Sequence, residues 1–190
     1  MKIQVILGST RQNRFSEKPG RWIAGLLKAK EGVEAELLDL RDYPLPFYDE
    51  AVPPSMLKGN YSNEISKKWA AKIGEGDGYI IVTPEYNHGY PGVLKNALDT
   101  VFAEWNNKPV GFVSYGGVMG ARSVEQLRLV AIELHLVPIE ATLSIPVQTF
   151  RDASARKEGD VSDLFEPMKP FADKFIDQVI WWANALRSHA

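Results

Sequence analysis

The chain has 190 residues, of which 45% are hydrophobic, so it is long enough to bury the core of one domain. Its formal net charge of -2 at pH 7 argues against a nucleic-acid partner held through phosphate contacts. It has no cysteine, which excludes disulfides, thiolate catalysis and zinc–thiolate sites. We see no signal-peptide pattern and no apolar run of membrane-spanning length, and therefore expect a cytoplasmic protein without a membrane partner.

The chain begins with the pattern of a strand, a loop, a helix and a second strand. Residues 3–7, apolar except for Gln4, form the first predicted strand. We expect the following helix to begin near Ser16, whose side chain is suited to cap it, with Pro19 in the first turn. The second strand is predicted over residues 34–40.

The stretch 41–61 is long and irregular and carries four prolines. A loop of this length in a compact domain is usually functional or covered by a partner. Its aromatic residues are Tyr43, Phe47, Tyr48 and Tyr61. They either line a subunit interface or an active-site wall, or pack on their own domain, and both interpretations remain open here.

The rest of the chain alternates between helices and strands. A helix is predicted near residues 65–73. Further strands, each followed by a helix, are predicted over residues 78–82, 109–114 and 138–147. Residues 149–160 are polar and predicted to be mobile, and Asp163 and Glu166 have the spacing of a capping box before the last helix.

This alternation, without an internal repeat or a linker, predicts a single α/β domain over residues 1–190. For five parallel strands we expect the flavodoxin-like order 2-1-3-4-5, in a three-layer sandwich with helices on both faces of the sheet. Ligands of such sheets bind beyond the carboxyl ends of the strands, where the strand order reverses. The loops at that place, between strands one and three, are residues 8–16 and 83–92.

The first loop, residues 8–16, is suited to bind a phosphate monoester. Backbone N–H groups at a helix start provide a positive field, and hydroxyl and guanidinium groups add hydrogen bonds and charge. The candidate ligands are Ser9, Thr10, Arg11, Arg14 and Ser16. The plainer interpretation is two solvated arginines on a surface turn. The GxGxxG and GxxxxGK[ST] motifs are absent, which argues against a dinucleotide-binding fold or a P-loop.

The loop 83–92 combines two prolines, two glycines and two tyrosines with Glu85, Asn87 and His88. A rigid loop of this composition at the carboxyl edge of a sheet suits a flat heteroaromatic ligand. The plain alternative is an ordinary strand-to-helix connection whose tyrosines pack on a neighbouring element.

Several motifs together resemble one known family. They are Gly8-Ser9-Thr10-Arg11, Pro84-Glu85-Tyr86-Asn87, the run from Pro91 to Asp99, and Ser114-Tyr115-Gly116-Gly117. In this order and on these elements, the chain from residue 2 to about residue 147 is similar to the NADPH-dependent FMN reductase family.

The resemblance implies a bound FMN and a homodimer, which in some members pairs further into a tetramer. It implies that the FMN phosphate is held by Ser9, Arg11, Arg14 and Ser16. It further implies that the isoalloxazine ring is flanked by Pro84, Glu85, Tyr86 and Asn87 on one side and by Ser114, Gly116 and Gly117 on the other. Glycines would let the backbone approach the ring closely, and backbone N–H groups would stabilise reduced, anionic flavin.

Three further residues are candidates for contact with a substrate. We expect His88 and Tyr90 to shape the substrate side, and we assign no catalytic residue because the flavin carries the chemistry. Arg122 is predicted in the first turn of a helix, where the helix dipole disfavours a cation. It either contacts the phosphate of the nicotinamide nucleotide or pairs with Glu125 on a solvated face.

The sequence therefore predicts an NAD(P)H-dependent, FMN-containing oxidoreductase. Hydride would pass from NADPH or NADH to FMN N5 and then, in a ping-pong sequence, to free FMN, a quinone, an azo compound or a metal oxyanion. No metal site is expected, because the three histidines, with His135 at a helix end and His189 in the terminal tail, have no ligand spacing. The alternatives are a flavodoxin-type electron carrier, which the near-neutral charge fits poorly, and a non-catalytic flavin-binding redox sensor.

Overall fold

Five parallel strands form one sheet at the centre of the fold. The computed structural model describes residues 1–156 and 159–188, so His189 lies outside the described residues. The strands are β1 Lys2–Leu7, β2 Glu34–Asp39, β3 Gly78–Pro84, β4 Pro109–Tyr115 and β5 Val137–Ser144. Their order is β2-β1-β3-β4-β5 with every neighbouring pair parallel, which confirms the predicted order.

Helices cover both faces of this sheet, as predicted. On one face lie α1 Glu17–Lys28, α6 Val147–Ala155, α7 Ser162–Phe165 and α8 Lys169–Arg187. On the other lie α2 Pro54–Leu57, α3 Glu64–Gly74, α4 Gly92–Asp99 and α5 Ala121–Glu133. Short 3₁₀ turns occur at Leu40–Asp42 and Glu166–Met168. Successive strand residues alternate between the faces, so Val5 packs in the α1 layer and Ile6 in the α5 layer.

The last helix, α8, packs closely on the sheet at β4. A Cβ atom added to Gly111 would lie 2.6 Å from the ring of Phe175 and 3.1 Å from Val179. Gly111 therefore allows the helix to approach the strand. Within the described residues, no helix is long and apolar enough to cross a membrane.

The segment from Val147 to Ala155 differs from its prediction. It was expected to be the end of a strand followed by a mobile stretch, but β5 ends at Ser144 and α6 follows. The helix is held because Phe150 and Ala153 pack on the α1-side core and Lys18 donates hydrogen bonds to the carbonyl oxygens of its last residues. These contacts with α1 are distant in sequence, so local polarity misled the prediction.

The two predicted helix caps are also wrong. Ser16 precedes α1 in a helical conformation and its side chain makes no capping hydrogen bond. Asp163 lies inside α7 and pairs with Arg156 at 2.6 Å instead of forming a capping box with Glu166. Spacing alone does not reveal that Ser16 is buried or that Asp163 has Arg156 as its partner.

The irregular segment 41–61 supports both interpretations of its aromatic residues. Tyr43 and Tyr61 are buried in the core on the α3 side, whereas Phe47 is 86% exposed. Asn96 of α4 holds the segment by donating to the carbonyl oxygen of Pro46 at 2.9 Å. The segment is therefore fixed to its own domain and still presents an apolar side chain to the surface.

Candidate active site

Three loops meet at the carboxyl ends of β1, β3 and β4. They are the first loop (residues 8–16), the loop that follows β3 (residues 85–91), and the glycine loop (residues 115–120). The backbone N–H of Gly8 donates to Val82 at 2.9 Å, and that of Glu85 donates to Tyr115 at 3.0 Å. The meeting point is the reversal of strand order, which is where open α/β sheets bind ligands.

Arg14 anchors the first loop. Its side chain is 1% exposed, and its Nη atoms donate to the carbonyl oxygen of Ser9 at 2.9 Å, to Glu17 at 2.7 Å and to both carboxylate oxygens of Asp39. A buried guanidinium needs such partners because an unpaired buried charge is costly. Arg14 therefore holds the first loop in shape from a buried position. Of its side-chain nitrogen atoms, only Nε lacks a hydrogen-bond partner.

Guanidinium groups and carboxylates lie close together at the first loop. Burial would raise the pKa of Asp39, but hydrogen bonds from Arg14 and from the backbone N–H of Arg41 outweigh it and hold that pKa below its usual value. Arg41 also donates to carbonyl oxygens of the first loop and lies 3.7 Å from Glu17. Arg14 and Arg41 thus contact these two acidic residues, whereas the guanidinium of Arg11 lies over the ring of Tyr86. Sequence reasoning missed the roles of Asp39, the last residue of β2, and of Arg41 just after it.

Tyr86 connects the loop after β3 to the first loop. Its hydroxyl lies 2.9 Å from Ser9 Oγ, and the guanidinium of Arg11 lies 5.0 Å from the centre of its ring. The residues predicted for a phosphate and those predicted for a flat ring are therefore brought together in one place.

Residues 86–89 form a tight turn, which we call the turn. Tyr86 and Gly89 exchange two backbone hydrogen bonds of 2.8 and 3.0 Å. Between them Asn87 has φ 51° and His88 has φ 66°, so both are left-handed, as in a type I′ turn. Asparagine tolerates this conformation, while histidine does so at a cost, and both side chains are exposed. Strain of this kind is concentrated at functional sites.

The start of α5 clamps the loop after β3. Ser123 Oγ donates to the carbonyl oxygen of Pro84 at 2.9 Å, and Gln126 Nε2 donates to that of His88 at 2.9 Å. Sequence reasoning did not single out either residue, because the contacts join segments nearly 40 residues apart. They hold the strained turn in place.

Glu85 and Arg122 form an ion pair in the same clamp. Arg122 Nη1 lies 2.5 Å from Glu85 Oε1, and the backbone N–H of Arg122 donates to Oε2 at 3.2 Å. The carboxylate thus sits at the amino end of α5, where the helix dipole favours a negative charge. The predicted alternative for Arg122, a pair with Glu125, is wrong, since the buried Glu85 carboxylate offers a partner from another loop.

The glycine loop is held by Ser114. Its buried hydroxyl donates to the carbonyl oxygen of Met119 at 2.7 Å and lies 3.3 Å from Ser144 Oγ. Ser114 therefore fixes the loop from below. Gly120 has φ 78°, and an added Cβ atom would lie 2.7 Å from Ser114 Cβ, so only glycine fits there.

The two glycines of the predicted ring site have different surroundings. Gly116 has φ 148°, and an added Cβ atom would lie 3.2 Å from Glu85 Cβ. Gly117 is exposed, and no atom lies within 4 Å of the position that its Cβ would take. The neighbouring Val118 and Met119 are also exposed. This rim is open and apolar.

Tyr90 is less exposed than His88. It is half-buried and packs against the core on the α5 side, and this burial raises its pKa. His88 is exposed at the tip of the turn instead. His88 and Tyr90, both predicted to shape the substrate side, therefore occupy different environments.

Three buried polar atoms beside the first loop lack hydrogen-bond partners in the structure: Arg14 Nε, Ser16 Oγ and the Tyr115 hydroxyl. Native proteins rarely leave such groups unpaired. All three can donate a hydrogen bond. They fit an acceptor-rich group such as a phosphate, and thus the phosphate end of FMN.

Comparison with known proteins shows the family to which the chain is related. The family model of NADPH-dependent FMN reductase matches residues 1–149. The chain is 41% identical over 147 residues to an NAD(P)H-dependent FMN reductase of Schizosaccharomyces pombe, covering 76% of this chain and 74% of that protein. It is 29% identical over 197 residues to a 2-hydroxy-1,4-benzoquinone reductase of Burkholderia sp, covering 98% of each chain.

A solved structure shows the same fold. The flavoenzyme NAD(P)H:(acceptor) oxidoreductase FerB from Paracoccus denitrificans superimposes with a TM-score of 0.67 at 22% identity, covering 94% of this chain and 96% of that one. The strand order and this superposition define a flavodoxin-like fold. The chain belongs to the NADPH-dependent FMN reductase family, which confirms the resemblance found in the sequence and the FMN and NAD(P)H dependence that it implied.

Proposed function

We propose that this chain is an FMN-dependent reductase that takes electrons from NADPH or NADH and passes them to a small-molecule acceptor. In this proposal the whole chain, residues 1–190, works as one FMN-binding domain in the cytoplasm. The observation that carries the proposal is the group of unpaired buried donors beside the first loop, Arg14 Nε, Ser16 Oγ and the Tyr115 hydroxyl. They match the oxygen-rich phosphate end of FMN.

We assign the phosphate of FMN to the first loop and its ring to the loops after β3 and β4. The phosphate residues are Ser9, Arg11, Arg14 and Ser16. The ring residues are Pro84, Glu85, Tyr86, Asn87, Gly116 and Gly117, while Ser114, also predicted to line the ring, is fully buried and supports the glycine loop instead. When bound, FMN supplies the two-electron chemistry, accepting from the nicotinamide and donating to the acceptor.

The protein's own contribution is to bind and orient. Arg14 fixes the shape of the first loop through Asp39 and Glu17, and Arg11, which forms no ion pair within the described residues, adds a positive charge for the phosphate. The pair of Glu85 and Arg122 holds the ring-side loop against α5. These contacts are made within the protein itself, so they hold the loops in a defined shape.

Substrates would meet the flavin at the open rim. The turn presents His88 there, and the glycine loop presents Val118 and Met119. An exposed apolar rim suits a planar aromatic acceptor. A quinone and an azo compound are the acceptors named for the Burkholderia relative and for an FMN-dependent NADPH-azoreductase of Staphylococcus aureus. Arg122 is exposed enough to reach a nicotinamide nucleotide phosphate while it keeps its pair with Glu85.

The initial-rate pattern with a panel of acceptors tests this function. Parallel lines in double-reciprocal plots, with a quinone or an azo dye as the second substrate, are expected because one open rim serves both substrates in turn. A stopped-flow comparison of NADPH with NADH then gives the preferred reductant. If NAD(P)H reduces the bound flavin but none of the acceptors is turned over, the result would instead favour a redox sensor.

We further propose that the chain forms a homodimer through the α5 side. Leu129 and Ile132 on the outer face of α5 are 71% and 61% exposed, and Phe47 and Met56 are exposed nearby in chain segments of the same layer. A groove of about 520 Å³ runs between the segment that begins at Tyr48 and the end of α5. Apolar surface of this kind usually marks a contact with another protein.

Sedimentation of a double variant tests the dimer. Leu129→Glu with Ile132→Glu is expected to give monomers, because a charge is costly in a buried apolar contact. Trp181→Glu is the matched control, since Trp181 is 62% exposed on α8, across the sheet. Equal sedimentation of the double variant and the wild type would contradict this interface.

A further inference from the structure

Strand β5 lies at one edge of the sheet, so one of its sides has no neighbouring strand. An exposed edge presents backbone N–H and carbonyl groups that can pair with a strand of another chain. The opposite edge strand, β2, carries Glu34 and Glu36, and charges of this kind discourage such pairing. In β5 only Glu140 is charged, so this edge needs another kind of protection.

A bulge interrupts β5 at this edge. Val110 of β4 faces Pro138 of β5. Two positions further along β4, Phe112 faces Thr142, so β5 advances by four positions over the same step. The intervening residues 139–141 therefore depart from the regular ladder between the two strands. Backbone groups that leave a ladder need other hydrogen-bond partners.

Side chains from both helical layers bind the groups of the bulge. From the α5 side, the Nη atoms of Arg128 donate to the carbonyl oxygens of Ile139 at 2.7 Å and Glu140 at 2.8 Å. From the α8 side, Gln178 Oε1 accepts from the backbone N–H of Ala141 at 2.9 Å. Each of the three residues thus has one backbone group bound by a side chain instead of by a strand.

Arg128 directs its charge to this edge. Its third hydrogen bond also goes to β5, to Thr142 Oγ1 at 3.0 Å. Its guanidinium lies 5.8 Å from the centre of the buried ring of Phe112 in β4. A positive charge fixed beside an edge strand repels the same charge in an approaching copy, in addition to occupying the carbonyl oxygens.

An open groove runs beside the bulge, between β5 and α8. It has a volume of about 410 Å³, and its lining includes Phe171, Phe175 and the bulge residues Glu140 and Ala141. The side chain of Phe171 is 67% exposed. A strand that added to β5 would cover this apolar surface, so pairing would be favourable if the groups of the bulge were free.

We propose that Arg128 and Gln178 keep the β5 edge closed against a second copy of this chain. While both side chains hold the bulge, an approaching strand finds its hydrogen-bonding groups already occupied. When either side chain is removed, the freed groups can pair with the β5 edge of another copy about a two-fold axis. This contact is separate from the dimer proposed through α5, and it does not depend on the proposed function.

Two variants each free one part of the bulge. Arg128→Leu leaves the carbonyl oxygens of Ile139 and Glu140 without their donor, and Gln178→Leu leaves the N–H of Ala141 without its acceptor. In sedimentation equilibrium at high protein concentration, each variant is expected to reach at least about twice the weight-average mass of the wild type, since isologous pairing joins two assemblies. Dilution should reverse the change.

Matched controls separate edge pairing from added apolar surface. Glu125→Leu on α5 and Lys174→Leu on α8 introduce the same side chain at exposed positions of the same two helices and free no group of the bulge. Both are expected to keep the wild-type mass. Lys174 also lines the groove, so its variant tests the groove by itself. Arg128→Lys, which keeps the charge and a donor, is expected to associate less than Arg128→Leu.

The association has to come from folded protein. Far-UV circular dichroism and FMN affinity are expected to stay at their wild-type values, and Gln178→Leu decides the test if Arg128→Leu alone unfolds. Wild-type mass in the folded variants, or an equal rise in the two controls, would overturn the inference and leave the proposed function intact. Irreversible precipitation with loss of helical signal in both variants would assign the association to unfolding and would also overturn it. A wild type that binds no FMN would contradict the proposed function alone.

Discussion

The two ends of the candidate site are built in opposite ways. At the first loop, charged and polar groups are buried, paired with each other and closed over by α6. At the turn and the glycine loop, side chains are exposed and the backbone is strained. Under the proposed function, one end would hold a resident group while the other would exchange ligands. A cofactor anchored by its phosphate, with its reactive ring at an open rim, has these two requirements.

The largest effect is expected at the buried end. Asp39→Ala removes one partner of the buried Arg14 guanidinium and leaves Glu17. We expect a loss of about 3 kcal/mol in the free energy of unfolding, near the lower limit for breaking a buried ion pair. Thermal unfolding should show it as a fall of about 6–12 °C. Asp42→Ala, an exposed acid in the next turn, is the control, and equal melting of the two variants would contradict the anchoring role.

The same ion pair predicts a pH dependence. Because the pKa of Asp39 is lower in the folded state, its contribution to stability is complete above the unfolded value of about 3.9 and is lost as the pH falls through the folded pKa. Wild type and Asp39→Ala should therefore differ most at neutral pH and converge in acid. A difference in unfolding free energy that grows in acid would contradict this.

The two glycines of the open end give a matched pair. Gly116→Ala forces a side chain into a conformation that only glycine adopts readily and against Glu85, so we expect roughly 2 kcal/mol of destabilisation. Gly117→Ala meets open space and is expected to stay within about 0.5 kcal/mol of the wild type. Urea unfolding measures both. Equal losses would show that the glycine loop is not held as described.

His88 tests whether the strain in the turn serves substrate binding. His88→Gly relieves the left-handed conformation, so stability should stay within about 0.5 kcal/mol of the wild type. The KM for a quinone acceptor is expected to rise about fivefold, equivalent to ~1 kcal/mol of lost contact. Asn107→Gly is the control, since Asn107 is left-handed at the other end of β4. An unchanged KM in His88→Gly would rule out the substrate contact.

The smallest effect is expected at Arg122. Arg122→Gln should raise the KM for NADPH about threefold and that for NADH less, because a partly exposed charge contributes little. Steady-state kinetics with both nucleotides measures the ratio. Identical changes for the two nucleotides would assign Arg122 to the pair with Glu85 alone.

The extent to which the sequence predicted the structure differs between the two ends of the candidate site. The alternation of five strands with helices predicted the strand order, and the switch point then placed residues 8–16 and 83–92 side by side. The glycine loop was added by the resemblance to the family. The clamp from Ser123 and Gln126 and the pairing of Arg14 with Asp39 were not predicted. These contacts join residues 25 to 39 positions apart, and they depend on side-chain packing that periodicity does not encode.

Helix α6 is a second case in which the local sequence did not predict the structure. Its sequence is polar enough to look like a mobile loop, yet Phe150 and Ala153 are held by contacts with α1 and the core. Ser16 likewise has the residue type of a cap, but its hydroxyl is buried beside Tyr115. Local chemistry is overridden where a distant element supplies or removes a partner.

Anaerobic mixing of FMN-loaded protein with NADPH tests the central claim most directly. The protein is expected to retain FMN, to be yellow, and to lose its flavin absorbance in a single turnover when NADPH is added. Protein that neither retains nor binds added FMN, or that binds it and keeps its colour with both NADPH and NADH, would contradict the account.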